Sequence, residues 1–260
     1  MKNQMNKNGL ILWTGPSVLD GAPIVVIATG LQSRSTNAKT GAMLQTYILR
    51  QDVDPVAAVR SGADASICGD CPHRGDGFAG RTCYVNVGQG ALGVWRAYRR
   101  GSYARAVDGD AVRAAGAGRM VRLGTYGDPA AVPARVWREL IADAAGHTGY
   151  THQWRASHAT ALRDLVMASA DCADDAREAH AKGWRTFRVT RTADEPSVGR
   201  EIVCPASEEA GRKLQCVDCR ACEGASSGRR GSIRIAAHGA LASARNLDAL
   251  EARIIARAAA

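Results

Sequence analysis

The stretch RMVRLGTYGDPAAVPARVWRELIADAAGHTGYTHQW, residues 119–154, contains the pattern that decides the fold. It predicts a strand over 119–123 and a turn over 124–129. A helix is expected over 133–145, because Val136, Leu140 and Ile141 recur at a spacing that places them on one helix face. A second strand is expected over 150–154. Strand, helix and strand in this order predict a right-handed βαβ unit with parallel strands.

The same alternation extends outward from this unit. Further strands are predicted in both halves of the chain, over 24–28, 43–49, 84–87, 166–169, 186–190, 201–203 and 232–237. Further helices are predicted over 158–165, 174–182 and 246–258. About eight strands of this kind predict an α/β fold with a TIM-barrel-like parallel sheet, complete or partial. No repeat or long linker divides the 260 residues, so we expect one domain over 1–260, with cysteine-rich insertions at 66–84 and 204–238.

The composition is that of a globular protein, with 46% hydrophobic and 23% charged residues. No apolar run approaches the roughly 18 residues of a membrane helix, and the apolar stretch 9–13 is shorter than the core of a signal peptide. We therefore expect a cytoplasmic protein without a membrane partner, and the oligomeric state stays open. Because that compartment keeps thiols reduced, the eight cysteines indicate metal binding or catalysis rather than disulfides.

The later cysteines form a compact group, with gaps of two residues between Cys216, Cys219 and Cys222. Cys204 lies upstream, at the end of a predicted strand. Gaps of two residues allow consecutive thiolates to converge on one metal. Four sulfurs complete a tetrahedral zinc site or hold an iron–sulfur cluster. His238, directly after the strand 232–237, is a further candidate ligand of this group.

The earlier group consists of Cys68, Cys71 and, after eleven intervening residues, Cys83. Three thiolates leave one coordination position of a metal open, and an open position distinguishes catalytic from structural sites. Alternatively, His73 completes the set as a fourth ligand. We interpret this group as the cofactor-binding one, with zinc or an iron–sulfur cluster as the cofactor.

Polar side chains follow several of the predicted strands, and ligands of parallel α/β folds bind at the carboxyl ends of strands. At these strand ends, the candidates for acid–base or nucleophilic catalysis are Asp128, His152 and Asp171. Each has a structural alternative, since Asp128 and Asp171 could cap the helices that follow them and His152 could be a core histidine. Cys172 stands apart from both groups, and we interpret it as an incidental thiol.

The net charge is +9, and residues 74–122 contain nine arginines and three aspartates. Trp95, Tyr98 and Tyr103 are interleaved with these arginines. Basic charge attracts polyanions and aromatic rings stack on bases, so the 74–122 region predicts contact with nucleic acid. The alternative is a solvated helix face with Trp95 and Tyr98 packed inward.

A glycine-rich segment, Gly88-Gln-Gly90-Ala-Leu-Gly93, has the spacing of a dinucleotide-binding motif. It follows only a short predicted strand, and no second strand delivers Asp108 to the ribose position. The polar loop 30–41 lacks the Gly-Lys-Thr order of a phosphate-binding loop. Neither segment therefore favours a nucleotide-binding fold.

Several pieces resemble the uncharacterised phage gene-product-eighty-eight-like families, and the likeness covers most of the chain after residue 60. The pieces are Ser66-Ile-Cys68-Gly-Asp-Cys71-Pro-His-Arg, Arg81-Thr-Cys83-Tyr84-Val, Leu123-Gly-Thr-Tyr-Gly-Asp128-Pro, Gly149-Tyr-Thr-His152-Gln-Trp154 and Cys204-Pro-Ala-Ser with the later cysteines. Their outline is similar to that of radical S-adenosylmethionine enzymes, in which three early cysteines hold a cluster inside a barrel. The resemblance implies an iron–sulfur cluster on Cys68, Cys71 and Cys83, with S-adenosylmethionine as a further cofactor.

The later group also resembles the zinc site of tRNA-guanine transglycosylases, which are barrels with a late cysteine cluster and a histidine ligand. That resemblance implies zinc on Cys216, Cys219, Cys222 and His238. It also implies that Asp128 or Asp171 is a carboxylate near the base.

Three functional hypotheses follow from the sequence. The first is a metal- or iron–sulfur-containing enzyme of a mobile element that acts on nucleic acid or a nucleotide, with radical chemistry at the early group. The second is transglycosylase-like modification of a nucleobase, with a structural zinc. The third is a non-catalytic, zinc-stapled nucleic-acid-binding protein.

Overall fold

The computed structural model describes residues 8–33, 35–211, 214–225, 231–238 and 243–258. Within these ranges, ten strands form one sheet. The strands are, in chain order, β1 (Gly9–Pro16), β2 (Pro23–Thr29), β3 (Leu44–Arg50), β4 (Ala104–Arg105), β5 (Met120–Tyr126), β6 (Gly146–Thr151), β7 (Met167–Ala170), β8 (Thr186–Thr190), β9 (Ile202–Val203) and β10 (Ile233–Ala236).

The sheet is mostly parallel, with the strand order β4-β1-β2-β3-β5-β6-β7-β8-β10-β9. Every neighbouring pair from β3 to β9 is parallel, which confirms the α/β class. The prediction of parallel strands is wrong for the N-terminal half, because β1–β2 and β2–β3 pair antiparallel. No crossover helix lies between these strands, and antiparallel neighbours need none.

The sheet is open rather than closed. Its two edges are β4 and β9, each only two residues long, and no ladder joins these edges among the described residues. A complete barrel is therefore not formed. Short edge strands expose few unpaired backbone groups, which limits pairing with other chains.

Eight helices accompany the sheet in the described ranges. They are α1 (Pro55–Ser61), α2 (Ala65–Cys68), α3 (Leu92–Arg99), α4 (Gly109–Gly116), α5 (Ala134–Ile141), α6 (Ala173–Ala181), α7 (Cys216–Cys219) and α8 (Ala244–Ala258). Helix α1 shows why such a helix begins and ends where it does. The Asp54 side chain accepts hydrogen bonds from the backbone of Val56 and Ala57, and Gly62 ends the helix with a φ of 77°. None of the described helices is long and apolar enough to cross a membrane.

The core lies against the central strands. Residues 24–28 of β2 are all fully buried, as expected for a strand covered on both faces. Val136, Trp137 and Leu140 of α5 are buried as well, so the predicted apolar face of this helix is confirmed at two of its three positions. The Trp137 indole donates to the carbonyl of Pro129, 2.9 Å away, which fixes α5 to the segment that follows β5.

Three predicted elements differ from the structure. The strand expected over 150–154 is β6 and ends at Thr151, because Gln153–Arg155 forms a 3-10 turn. The helix expected over 158–165 is the 3-10 segment Ser157–Leu162. The strand expected over 84–87 is absent, and the glycine-rich segment forms a π-helical turn, Val87–Ala91, at the start of α3. Asp108 caps α4 by accepting from Ala111, which leaves no support for dinucleotide binding there.

A buried ion pair joins β8 to the edge of the sheet. The guanidinium of Arg188 donates to both carboxylate oxygens of Glu201, at 3.0 Å from Nε to Oε1 and 2.8 Å from Nη2 to Oε2. Both side chains are almost fully buried. Bidentate pairing satisfies two charges that would otherwise be costly to bury, so this pair holds the segment before β9 in place.

Two helical glycines allow a direct test of the packing of α4 against α5. A Cβ atom at Gly116 would overlap the carbonyl oxygen of Leu140, whereas a Cβ atom at Gly93 in α3 would meet no atom within 4 Å. We expect Gly116→Ala to lower the free energy of unfolding by about 1–3 kcal/mol through overpacking. Gly93→Ala is the control and should raise it by about 0.5–1 kcal/mol. Urea unfolding followed by circular dichroism measures both, and equal effects of the two variants would contradict this packing.

Candidate active site

Both cysteine groups line one cavity of about 330 Å³. Its wall includes residues that lie at the ends of β5, β6 and β7. The candidate side chains on its wall are Cys68, Cys71, His73, Cys83, Asp128, His152, Asp171, Cys204, Cys216, Cys219, Cys222 and His238. Segments that are more than 120 residues apart in the sequence therefore meet at one site, and all the residues selected from the sequence are there.

The early cysteine segment is folded back on itself by backbone hydrogen bonds. The N–H groups of Thr82 and Cys83 both donate to the carbonyl of His73, at 3.2 and 3.1 Å. Arg74 anchors the start of the segment by donating to Asp64 and to the carbonyl of Gly69, at 2.6 and 2.9 Å. The eleven residues between Cys71 and Cys83 thus return the third cysteine to the first two.

Cys68 and Cys83 lie in an environment that disfavours their charged forms. Burial raises the pKa of Cys68 well above its usual value, and the neighbouring charge of Cys71 adds to this effect. Burial also raises the pKa of Cys83. A cation would reverse this preference, because metal ligands must be deprotonated and metal binding releases their protons.

A compact cluster of His73, His152 and Asp171 lies beside these thiols. The Oδ1 atom of Asp171 is 3.1 Å from Nε2 of His73 and 3.1 Å from Nε2 of His152. In the described part of the chain, this is the one set of three or more histidine, cysteine or carboxylate side chains whose ligand atoms all lie within 4.8 Å of one another. Two imidazole nitrogens and a carboxylate oxygen form a donor set that leaves metal coordination positions open.

Opposite charges stabilise this cluster. Burial acts to raise the pKa of Asp171, but His152 and His73 hold it well below its usual value. Burial acts to lower the pKa of His152, but the charges of Cys71 and Asp171 raise it well above its usual value. Arg257 of α8 adds a further positive charge, with its Nη1 atom 3.0 Å from Oδ2 of Asp171. Asp171 is therefore an ionised carboxylate surrounded by basic groups.

Cys71 extends the cluster toward the early thiols. Its sulfur lies 3.8 Å from Nε2 of His152, close enough to share a bound ion with the imidazole. From the sequence, His73 is predicted as a ligand beside the cysteines, and His152 and Asp171 as acid–base residues. That prediction misses the meeting of the three side chains. The available signal was that His73 follows Cys71 by two residues, while His152 and Asp171 follow neighbouring strands.

Asp128 orients this cluster from outside it. Its Oδ2 atom accepts from the backbone N–H of His152 at 2.8 Å, and its Oδ1 atom accepts from Ala130 at 2.9 Å. The capping alternative for Asp128 therefore agrees with the structure, although the capped element is the 3-10 turn Pro129–Ala131. Burial raises the pKa of this carboxyl. Asp128 is thus a positioning residue for His152.

Helix α6 begins differently from the sequence prediction. Its N-cap is Cys172, whose sulfur accepts from the backbone N–H of Asp175 at 3.4 Å. Asp171 does not cap this helix, since both of its oxygens face the histidines and Arg257. Cys172 therefore has a structural contact, and it lies outside the cavity wall.

The late cysteine group is fixed by backbone contacts to distant parts of the chain. The N–H of Cys216, at the start of α7, donates to the carbonyl of Lys39 at 2.8 Å. The carbonyl of Cys222 accepts from Gly149 of β6 at 3.2 Å. Cys204 follows β9 and is buried. These contacts place four thiols along the side of the cavity that faces β5 and β6.

Burial disfavours the thiolate forms of Cys204, Cys216 and Cys222. Burial raises the pKa of Cys222 to about 12, and burial also raises the pKa of Cys204 and Cys216. Among the residues that the structure places, neither cysteine group has three thiols within 4.8 Å of one another.

His238 lies at the edge of the cavity and is exposed. Its Nδ1 atom is 2.9 Å from the carbonyl of Ala236, and its Nε2 atom is 3.1 Å from Nζ of Lys39. It is not within ligand spacing of any thiol pair in the described ranges. The structure therefore gives His238 a contact with Lys39 rather than with the late thiols.

The arginines of the 74–122 region do not form one surface. Arg81 and Arg122 are buried, and Arg74 is bonded to Asp64. The Trp95 indole donates to the carbonyl of Arg50 at 3.0 Å, and the Tyr98 hydroxyl donates to Gln51 at 3.1 Å. These contacts agree with the alternative of aromatic rings packed inward. The exposed arginines of the region are Arg96, Arg99 and Arg100 on and after α3, together with Arg105 and Arg113.

Comparisons of this chain with protein-family models, with curated proteins and with solved structures find no match. The function is therefore inferred from the site alone. Its distinguishing features are the two thiol groups, the cluster of His73, His152 and Asp171, and the single cavity that they share.

Arg185 holds the late cysteine loop and provides a test of this geometry. Its guanidinium donates to four backbone carbonyls, those of Ala221, Glu223, Gly224 and Gly231. We expect Arg185→Lys to lose at least one of these charge-assisted bonds, each of about 1.5–3 kcal/mol, because an ammonium group cannot span the same carbonyls. Hydrogen exchange across residues 221–225 and at Gly149 should accelerate by about tenfold or more. Arg177→Lys on the exposed face of α6 is the control, and equal exchange in both variants would contradict the clamp.

Proposed function

We propose that this protein is a metal-dependent enzyme whose substrate binds in the cavity between the two cysteine groups. One observation carries this proposal: two thiol groups and a histidine–histidine–aspartate cluster, drawn from distant segments, line one cavity of about 330 Å³. A cavity of this size holds a small molecule or one part of a larger one. A purely structural metal site needs neither the cavity nor ligand positions left open.

The chemistry is assigned to the end of the cavity with His73, His152 and Asp171. These side chains, with Cys71 beside them, would hold a metal while leaving positions for substrate or water. When bound, the metal supplies Lewis-acid or redox chemistry. Asp128 orients the His152 imidazole through its hydrogen bond with the His152 backbone. Thr82 orients the His73 imidazole, because its hydroxyl lies 2.8 Å from Nδ1 of His73. Such outer contacts fix ligand orientation in metal sites.

The more specific form of the proposal is an iron–sulfur cluster on Cys68, Cys71 and Cys83, with S-adenosylmethionine at its open position. The backbone bonds that return Cys83 to the first two cysteines, and the cavity beside the three thiols, support it. The late group, Cys204 with Cys216, Cys219 and Cys222, is then a structural or auxiliary metal site. We also propose that the fold is a partial barrel. The open sheet, with candidate ligand residues at the carboxyl ends of its strands, supports this.

Nucleic acid or a nucleotide is the proposed substrate class. The exposed arginines Arg96, Arg99 and Arg100 support contact with a polyanion. The transglycosylase-like alternative needs a carboxylate free to act beside a base. Asp128 accepts two backbone hydrogen bonds, and Asp171 lies against two histidines and Arg257, so the geometry favours the metal-dependent enzyme.

Metal content separates the hypotheses. Protein purified without oxygen should contain metal at two independent sites, and a cluster would give a brown sample with iron and sulfide. His152→Ala should weaken metal binding at the open end by about tenfold to 100-fold and abolish activity. Cys219→Ser should remove the metal of the late group alone. Elemental analysis and absorption spectra measure both effects.

Cys172→Ser is the matched control, because Cys172 lies outside the cavity wall and should leave the metal content unchanged. A colourless protein with zinc only in the late group would exclude the cluster and favour the non-catalytic, zinc-stapled alternative. A wild-type protein that takes up no metal after reconstitution would refute the proposed function altogether.

A further inference from the structure

Arg122 of β5 is a buried cation on the cavity wall that has no carboxylate partner among the described residues. Only 8% of the residue is exposed, and none of the ion pairs of the described residues includes it. Its Nη2 atom donates to the Tyr84 hydroxyl, while its Nε atom is buried and has no hydrogen-bond partner. Arginine stays charged inside proteins, so a full positive charge lines this part of the cavity.

A second unpartnered polar atom lies next to Arg122 in the sheet. Arg122 is in register with Gln45 of β3 and with Thr148 of β6, and all three side chains line the cavity. Thr148 is 2% exposed, and its hydroxyl has no hydrogen-bond partner. Buried polar groups are almost always satisfied, so two adjacent exceptions facing one cavity indicate a polar ligand group between them.

The charges along the cavity indicate the sign of that group. Lys39 is a second cation on the wall, and its Nζ atom contacts the imidazole of His238 rather than a carboxylate. The carboxylates of the wall, Asp128 and Asp171, lie at the other end and are already engaged. The end with Arg122 and Lys39 is therefore positive, and an anion would complement it.

We infer that Arg122 and Thr148 bind an anionic group of the substrate, a carboxylate or a phosphate. A guanidinium presents paired N–H donors that match both groups, and a hydroxyl adds a third donor. This inference deepens the proposed function, on which it rests for the identity of the ligand as a substrate. Thr148 lies within β6 and His152 directly follows the end of this strand, so the anionic group binds roughly 10 Å along the strand from the histidine–aspartate end. A substrate whose anionic group and reacting group are separated by this length, such as a nucleotide, would reach both ends of the cavity.

Calorimetric titration with inorganic phosphate and with acetate tests the inference, and the tighter of the two probes identifies the group. The full chain, purified without oxygen, should bind one anion per chain. Arg122→Gln should weaken that binding at least tenfold, and Thr148→Val about threefold to tenfold, as expected for a charged and a neutral hydrogen bond. Arg177→Gln removes the same charge from the exposed face of α6 and should leave the affinity unchanged.

The competing explanation is that Arg122 only offsets the charge of the late thiolates, since Cys216 lies in its electrostatic reach. In that case Arg122→Gln loses the metal of the late group, and the anion affinity of Thr148→Val equals that of the wild type. That result overturns the inference, as does a wild type that binds neither probe. Thr148→Val preserves side-chain shape and carries the test if Arg122→Gln does not fold. Metal analysis of the same samples distinguishes failure of the proposed enzyme from failure of the anion site. A wild type that binds the anion but no metal refutes the metal-dependent enzyme and leaves the anion site standing.

Discussion

The buried carboxylate of Asp171 is the constraint on which the site depends. An ionised group that is only 1% exposed is costly unless opposite charges surround it. Here those charges come from His73 in the early cysteine segment, from His152 after β6 and from Arg257 in the C-terminal helix. Balancing one buried charge therefore brings together four segments that are distant in the sequence. The position of the early thiols beside β6 and β7 follows from this, because His73 is two residues from Cys71.

The parallel sheet explains why this balance forms at one edge. Residues that follow β5, β6 and β7 emerge side by side, so Asp128, His152 and Asp171 come together without any long-range adjustment. The cysteine segments then cover this edge from two sides. Arg74 and the carbonyl of His73 shape the early segment, and Arg185 clamps the late one. The cavity is thus the space left between two loops that are each fixed by backbone hydrogen bonds.

The sequence predicted the parts of this arrangement that depend on local pattern. The α/β class, the helix α5 and the polar residues at the strand ends follow from apolar periodicity and turn residues. The antiparallel pairing of β2 with its neighbours was not predicted, because the apolar pattern of a strand is the same in either direction. The sequence also left open whether the sheet closes into a complete barrel. The meeting of His73 with Asp171 depends on how residues 69–83 fold back. The sequence pattern did not indicate that Arg122 is buried at the cavity, because burial of a single arginine in a strand depends on which segments cover that strand.

The two ends of the cavity constrain each other through charge. A metal held near Asp171 adds positive charge to the cavity that already contains Arg122, and two such charges repel at short range in a medium of low dielectric constant. Strand β6 separates them, since Thr148 beside Arg122 lies within this strand and His152 follows its end. The late thiols lie on the cavity wall, and Cys216 is within electrostatic reach of Arg122. A metal on the late cysteines would convert these thiols to thiolates, which would attract the guanidinium and offset part of the positive charge. The second metal would therefore stabilise the charges at both ends of the cavity.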